Sequence, residues 1–357
     1  MTTRREFLRG AAGTAACAMA GGAIAAPTDG GIRAMLLQLG MNMWCDWFPE
    51  GVTPPWNKNR YRKPCLELAA RDEVWRQVTD HMAARKLNMA VIDIGEAMVF
   101  PSHPELAIKG SWTPEKMRRE LDRLRGLGLE PIPKLNFSST HNGWLKHYRR
   151  IMSTPAYDKV CADVIRDTVE IFGKPRFFHI GYDEESAQHQ VNEGHFHLVL
   201  ARQGDLWKRD LLQIVGAVEK CGPRAWMWSD YGWDHADFYE WCPKSVVMSN
   251  WFYDEAHGGF ELAANKTDDR KILQAYLDLD RHGFDQIPCG TNWCGWKRRE
   301  LKCGGDDIMG SLVKVCRRDI SAAHLKGFMI APWKALDDDP KNLAVNLRNV
   351  DLLAEAL

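Results

Sequence analysis

The sequence predicts an α/β fold, a single (β/α)8 TIM barrel with long βα loops over residues 30–357. Three observations carry the prediction. Eight short apolar, β-rich runs recur along the chain, and amphipathic stretches of helical periodicity separate them. The Gly-rich turn that an open, doubly wound sheet needs after its first strand to hold a phosphate or dinucleotide is missing. In its place stands Trp44-Cys45-Asp46-Trp47. No internal repeat, low-complexity segment or linker interrupts the chain, so one domain is expected although the length of 357 residues would allow two.

Each strand is read from a run rich in Val, Ile, Met, Phe and Trp, residues that fit a buried parallel sheet. The first run is 35–43 (MLLQLGMNM), followed by 89–95 (MAVIDIG), 130–137 (EPIPKLNF) and 177–183 (FFHIGYD). The second half supplies 224–230 (RAWMWSD), 246–253 (VVMSNWFY), 286–293 (QIPCGTNW) and 327–333 (GFMIAPW). Between them, apolar residues recur at helical spacing over 72–86, 114–127, 157–172, 207–220, 268–281 and 308–324. Asp337-Asp338-Asp339-Pro340 reads as a solvated turn that opens a further helix.

The extreme N-terminus reads differently. Thr3-Arg4-Arg5-Glu6-Phe7-Leu8 precedes a small-residue apolar run from Ala11 to Ala26, the pattern of a twin-arginine export signal with an A-x-A site at Ala23-Ile24-Ala25. Residues 1–25 are expected to be the signal, the twin-arginine export machinery a partner, and the mature chain periplasmic or secreted. The apolar run is too short and Gly-rich for a stable membrane span. Its removal takes Cys17 from the ten cysteines, and an odd remainder cannot pair completely within one chain. The spacings Cys289-x4-Cys294 and Cys294-x8-Cys303 match no common zinc pattern, so free thiols are expected.

Lys and Arg number 47, as do Asp and Glu, which argues against nucleic acid or an anionic membrane as the main partner. Fifteen Trp is the unusual number. Flat rings on this scale fill a core or offer faces to a ligand, and sugars are the usual ligand of such faces. Nine of them (Trp44, Trp47, Trp144, Trp228, Trp233, Trp251, Trp293, Trp296, Trp333) fall at or beyond strand C-termini, where a barrel builds its site. Most of the tryptophan is therefore expected to line one pocket. Trp75 and Trp207 sit on helical patterns and read as core.

The strand ends carry Trp44/Asp46, Asp93/Glu96, Asn136/His141, Asp183/Glu184, Asp230, Trp251/Tyr253/Asp254, Asn292/Trp293 and Trp333/Lys334. The sharpest local signal is His179-Ile180-Gly181-Tyr182-Asp183-Glu184-Glu185. Neighbouring strand residues face opposite ways, so Asp183 and Glu184 share a pocket only if the strand ends before them. Two adjacent carboxyls raise each other's proton affinity, which lets one act as general acid while the other stays ionised. That division suits glycosidic bond cleavage. His195-Phe196-His197 reads as solvated loop, and Lys297-Arg298-Arg299 as an exposed face. No G-x-S-x-G elbow or nucleophilic Cys is evident, and neither a metal set nor a cofactor is expected.

At these residues the chain resembles glycoside hydrolase family 20, the β-N-acetylhexosaminidases, whose fourth strand typically reads His-x-Gly-Gly-Asp-Glu. Further matches in kind are PIPKLNFSSTH on strand three, Trp228-Ser229-Asp230 after strand five, Trp251 to Asp254 after strand six and Gly327 to Trp333 on strand eight. The resemblance implies substrate assistance, in which the sugar's 2-acetamido oxygen attacks C1. Asp183 would then orient the acetamido group and Glu184 would protonate the leaving oxygen. Trp228, Trp251 and Trp333 would wall the pocket, Tyr253 would offer a hydroxyl and His179 would give support. Trp44, Asp46, Glu96, Asn136, His141, Asp230, Asp254 and Trp293 complete the expected substrate-binding set. The chain departs from the family pattern at Tyr182 (for the second Gly), at Asn136 (near the usual Asp) and at Lys334-Ala335 (for an acidic residue). It also lacks the strand-one Arg that grips the terminal sugar. Two alternatives stay open: a retaining glycosidase in which Glu96 or Asp230 is the nucleophile, and a non-catalytic glycan-binding barrel.

Overall fold

The computed structural model describes residues 31–44, 46, 64–192, 196, 198–253, 267–292 and 308–357. The expected signal peptide lies outside the described residues. So do Cys45, Trp47, His195, His197, Asp254, Trp293, Cys294, Trp296, Lys297 to Arg299 and Cys303.

Eight parallel strands alternate with helices, as the sequence predicts. They are β1 (Ile32–Gln38), β2 (Met89–Asp93), β3 (Glu130–Lys134), β4 (Phe177–His179), β5 (Arg224–Trp228), β6 (Val247–Ser249), β7 (Cys289–Gly290) and β8 (Gly327–Ile330). The hydrogen-bonded order is β6-β5-β4-β3-β2-β1-β8-β7. Two isolated parallel bridges, Met248 to Gln286 and Trp251 to Cys289, bring β6 back to β7 and round off the barrel. The helices are α1 (Asp72–Ala84), α2 (Pro114–Gly126), α3 (Pro155–Phe172), α4 (Ala187–Asn192), α5 (Gly204–Lys220), α6 (Phe238–Trp241), α7 (Thr267–Arg281), α8 (Ile308–Asp319) and α9 (Pro340–Ala356). The short α4 and α6 are not evident from periodicity, because one or two turns hold too few apolar positions to show a period.

Local chemistry fixes several helix starts. Thr113 accepts from Lys116 N, Thr154 from Tyr157 N and Asp339 from Lys341 N, and a proline follows each cap at the first helical position. The Asp-Pro start read from the sequence is therefore the cap of α9. The expected strands overshoot at their C-terminal ends by two to four or more residues. Those extra residues leave the ladder and form the mouth.

Alternate residues fill the barrel interior: Ala34 and Leu36 of β1, Val91 of β2, Ile132 of β3, Phe177 of β4, Trp226 of β5, Val247 of β6 and Met329 of β8. A larger apolar layer lies between sheet and helices. One step nearer the mouth, the register row Gln38, Asp93, Lys134, His179 is polar and fully buried. Lys134 donates to Asp93 inside it. Burying a charge without a partner costs several kcal/mol, so this pair marks where the core gives way to polar chemistry.

Candidate active site

The site starts where β4 ends. After His179 the backbone turns left-handed at Gly181 (φ 70°), Tyr182 (φ 71°) and Glu184 (φ 54°). A strand would send Asp183 and Glu184 to opposite faces, whereas this turn lets neighbours share the mouth. Gly181 must be glycine: a Cβ there would lie 2.1 Å from Asn136 Oδ1. Tyr182 is an uncommon residue for a left-handed position. Its ring points into the outer core, edge-on to Trp207 at 5.5 Å, and Arg202 Nη1 donates to its hydroxyl at 3.0 Å. The bulk at the second-glycine position thus stays out of the pocket.

The loop after β3 fastens this turn. Asn136 Oδ1 accepts from Ser138 N (3.1 Å) and Tyr182 N (3.2 Å), which fixes its amide so that Nδ2 donates to Asp183 Oδ1 at 2.7 Å. Ser138 Oγ donates to Asp183 O at 2.6 Å, Thr140 Oγ1 to Glu184 O at 2.7 Å, and Ser139 N to Glu185 Oε2 at 2.6 Å. Glu185 is taken up by Arg202 through two further hydrogen bonds, so this third acid of the motif is a clamp. From β5, Asp230 Oδ2 accepts from Glu184 N at 2.7 Å, while its Oδ1 is buried without a hydrogen-bond partner among the described residues.

His141 bridges the two acids. Its Nδ1 lies 3.4 Å from Asp183 Oδ1 and its Nε2 3.4 Å from Glu184 Oε2. Burial opposes its charge, but the Asp183 and Glu184 carboxylates outweigh burial and push the imidazole up to about 9. Burial would also raise Asp183, yet the charges of His141 and Lys134 and the Asn136 hydrogen bond hold it below the usual carboxylate range. Asp230 moves the other way, raised by burial and then by the Asp183 charge. At neutral pH the mouth therefore holds an Asp183 anion, a His141 cation and an Asp230 that favours its proton. The ligand atoms of His141, Asp183 and Glu184 lie within 4.8 Å of one another, a cation-sized cluster.

Aromatic residues form the opposite wall. Trp228 and Trp333 are 5.9 Å apart, Trp251 is 5.0 Å from Tyr253 and 4.6 Å from Trp233, and Trp333 Nε1 donates to Tyr253 Oη at 3.1 Å. The Tyr253 hydroxyl is raised by burial and also feels Asp183 and Glu184, which ties this wall to the carboxylates. His179 sits behind Trp228 at 4.7 Å, its Nδ1 accepting from Gly181 N at 3.1 Å. Burial and Lys134 hold it well below the usual imidazole range, and it is a neutral support for the ring. Trp44 stands edge-on to His141 at 6.5 Å.

Two expectations are corrected. Glu96 is 1% exposed and accepts from Met41 N at 2.7 Å and Asn42 N at 3.2 Å, so it anchors the segment after β1. Asp46 is fully buried 3.6 Å from both Arg149 and Arg150, so these cations rather than solvent face its charge. Of the nine tryptophans expected at the mouth, Trp47, Trp293 and Trp296 lie outside the described residues. Among the described residues Trp44, Trp228, Trp233, Trp251 and Trp333 surround the site. Trp144 lies beneath it, donating to Asn136 O at 2.8 Å, while Trp75, Trp112, Trp207, Trp226 and Trp241 pack in the core layers. Sequence reasoning missed Lys134, Ser138, Thr140, Glu185, Arg202 and His189. The adjacent hydroxyls of Ser138-Ser139-Thr140 were the available signal.

No protein-family model matches this chain, and no curated protein matches its sequence. Solved structures do match it. The β-N-acetylhexosaminidase from Bacteroides fragilis NCTC 9343 superposes with TM-score 0.57 at 12% identity, over 89% of this chain and 65% of that one. The glycoside hydrolase family 20 β-N-acetylhexosaminidase from Streptomyces coelicolor A3(2) gives 0.58 at 13%, over 90% and 64%. The family 20 exo-β-N-acetylglucosaminidase from Vibrio harveyi, in complex with N-acetylglucosamine, gives 0.58 at 14%, over 91% and 54%. This chain thus spans about half to two-thirds of the length of these three, and at such identity the likeness is one of fold.

Proposed function

We propose that the chain is an exported glycoside hydrolase that removes a terminal N-acetylhexosamine with the substrate's own acetamido group as nucleophile. The observation that carries the reading is the Asp183–His141–Glu184 triad facing the Trp228, Trp251, Trp333 and Tyr253 wall. Asp183, anchored by Asn136 and kept ionised, accepts the acetamido N–H and stabilises positive charge as the acetamido oxygen closes on C1. Glu184 gives its proton to the glycosidic oxygen as the C1–O bond breaks, then takes one from the water that opens the oxazolinium at C1. Tyr253 offers its hydroxyl to the acetamido oxygen, and the indole faces exclude water. The engagement of Glu96 by backbone amides speaks against it as a protein nucleophile.

The test is release from aryl β-N-acetylglucosaminides and β-N-acetylgalactosaminides. Glu184→Gln and Asp183→Asn should each lower kcat by about 10²–10⁴-fold, the usual share of a general acid or charge stabiliser. A thiazoline mimic of the oxazolinium should bind tightly. Variants equal to an active parent would overturn the assigned roles, and a parent that binds glycans without hydrolysing them would favour the binding-protein alternative. Export is tested by fusing residues 1–30 to a folded reporter, whose export should stop when Arg4 and Arg5 become Lys.

A further inference from the structure

Glu184 has a second histidine beside it, on the side away from His141. His189, on the short helix α4, brings Nε2 to 3.7 Å from Glu184 Oε1, while His141 holds Oε2. The two histidines differ in setting: His141 is buried, whereas the His189 side chain is 36% exposed and approaches from the solvent side. Its ring is oriented by the turn that carries it. Ser186 N donates to Glu184 O at 2.7 Å, Ser186 Oγ accepts from His189 N at 3.1 Å, and the same hydroxyl lies 2.8 Å from His189 Nδ1. Accepting the backbone N–H leaves the Ser186 hydroxyl its one proton to give to Nδ1. In the tautomer where Ser186 donates to Nδ1, the ring proton sits on Nε2, the atom that faces Glu184.

We propose that His189 is a positioning residue for the general acid: it holds the Glu184 carboxyl by Oε1 so that the proton is aimed at the departing oxygen. It also flanks the aglycone. If the leaving group departs over Glu184, the part-exposed His189 ring beside that carboxyl is the side chain it would meet. The inference rests on the proposed general-acid role of Glu184, and it adds a residue that neither the sequence motif nor the strand ends supply.

The experiment is a leaving-group series of β-N-acetylglucosaminides, from dinitrophenyl, which departs with little protonation, to 4-methylumbelliferyl and alkyl, which need it. His189→Ala should lower kcat about tenfold on alkyl and 4-methylumbelliferyl glycosides and less than about twofold on dinitrophenyl, steepening the dependence on leaving-group basicity. His189→Gln, which keeps a donor, should recover most of that loss, and Ser186→Ala should fall between. Equal loss across the series, no loss, or failure of Gln to rescue would overturn the proposal. Glu184→Gln run alongside separates the two levels: if it leaves the series unchanged, the general-acid reading fails, and if it alone steepens the series, only the role of His189 fails. A readout without turnover completes the test. Ring 15N shifts of His189 should report the Nε2–H tautomer and move on Glu184→Gln, and a ring indifferent to that substitution would overturn the proposal.

Discussion

The exits of β2 and β4 look alike in sequence, and the structure makes them opposites. Each ends in a pair of acids, Asp93/Glu96 and Asp183/Glu184. At β2 the protein supplies every partner: Lys134 takes Asp93, and the amides of Met41 and Asn42 take Glu96. Even the space is used, since a Cβ on Gly40 would come within 3.1 Å of Glu96 Oε2. At β4 the fastening goes to the backbone carbonyls, through Ser138 and Thr140, and to one oxygen of Asp183. The Glu184 carboxyl is met by imidazoles at 3.4 and 3.7 Å, longer than a close hydrogen bond, and stays half-buried. A carboxylate becomes structure when buried backbone donors saturate it; at β4 the backbone is what is fastened, and the Glu184 carboxyl is met by side chains at a partly exposed position.

The sharpest way to break the comparison is to neutralise one acid from each exit. Glu184→Gln should remove two to four orders of magnitude of kcat with little change in melting temperature. Glu96→Gln should do the reverse, altering stability while kcat stays within about threefold, as expected for a group remote from the reacting atoms. Comparable kcat losses would show that the β2 exit takes part in the reaction. Next in size is Asn136→Asp, which sets a second carboxyl against Asp183 where a donor now stands at 2.7 Å. Like charges so close cannot both ionise, so one proton stays on the pair at neutral pH, kcat there should fall about tenfold and the pH optimum should move to the alkaline side. The profile of kcat/KM against pH reads this directly.

The two exits should also titrate in separate windows. Burial raises Glu96 from 4.5 to about 7 against the pull of its amide hydrogen bonds, so the folded state binds more protons than the unfolded state between those values. Stability therefore falls as pH rises through that window, by at most about 3 kcal/mol. His141, raised from 6.5 to about 9, contributes stability that is complete below 6.5 and lost as pH rises through about 9. Asp230, raised to about 8 by burial, titrates across both windows, so the stages are read as differences between variant and parent melting curves from pH 4.5 to 9. Glu96→Gln should flatten the lower stage and His141→Gln the upper; one variant flattening both would mean the exits are coupled.

The barrel was legible in the sequence because its strands are continuous apolar runs and its helices keep their period. The β3 exit shows where legibility stops. Asn136 and His141 are visible as polar strand-end residues, but the orientation of the Asn136 amide depends on two N–H groups, one of them at Tyr182 on another strand. Glu185 looked like a third acid and proved to be a clamp because Arg202, distant in sequence, folds back on it. Glu96 looked free for catalysis because nothing in DIGEA records how closely the segment after β1 passes. Periodicity reports which face a residue occupies; it does not report which donors will reach it.

The smallest test uses a device that both exits share. Thr140 Oγ1 donates to Glu184 O at 2.7 Å, and Ser111 Oγ lies 2.8 Å from Glu96 O, each a hydroxyl on the carbonyl of an acid. Thr140→Val and Ser111→Ala each leave one carbonyl short of a donor, a cost of about 1 kcal/mol. Ser111 also accepts from Ile108 N, so its loss should be the larger of the two in melting temperature. In kcat the order should invert. Glu184 occupies a left-handed turn, and with Ser186 N left as the donor to its carbonyl, loss of the Thr140 hydroxyl should let the carboxyl shift against the leaving oxygen, for a loss of about threefold. Glu96 carries no reacting atom, so Ser111→Ala should leave kcat unchanged. If both variants lose stability and neither loses rate, the backbone fastening at β4 is ordinary loop structure, and the distinction between the exits rests on the side chains of Asn136 and His141 alone.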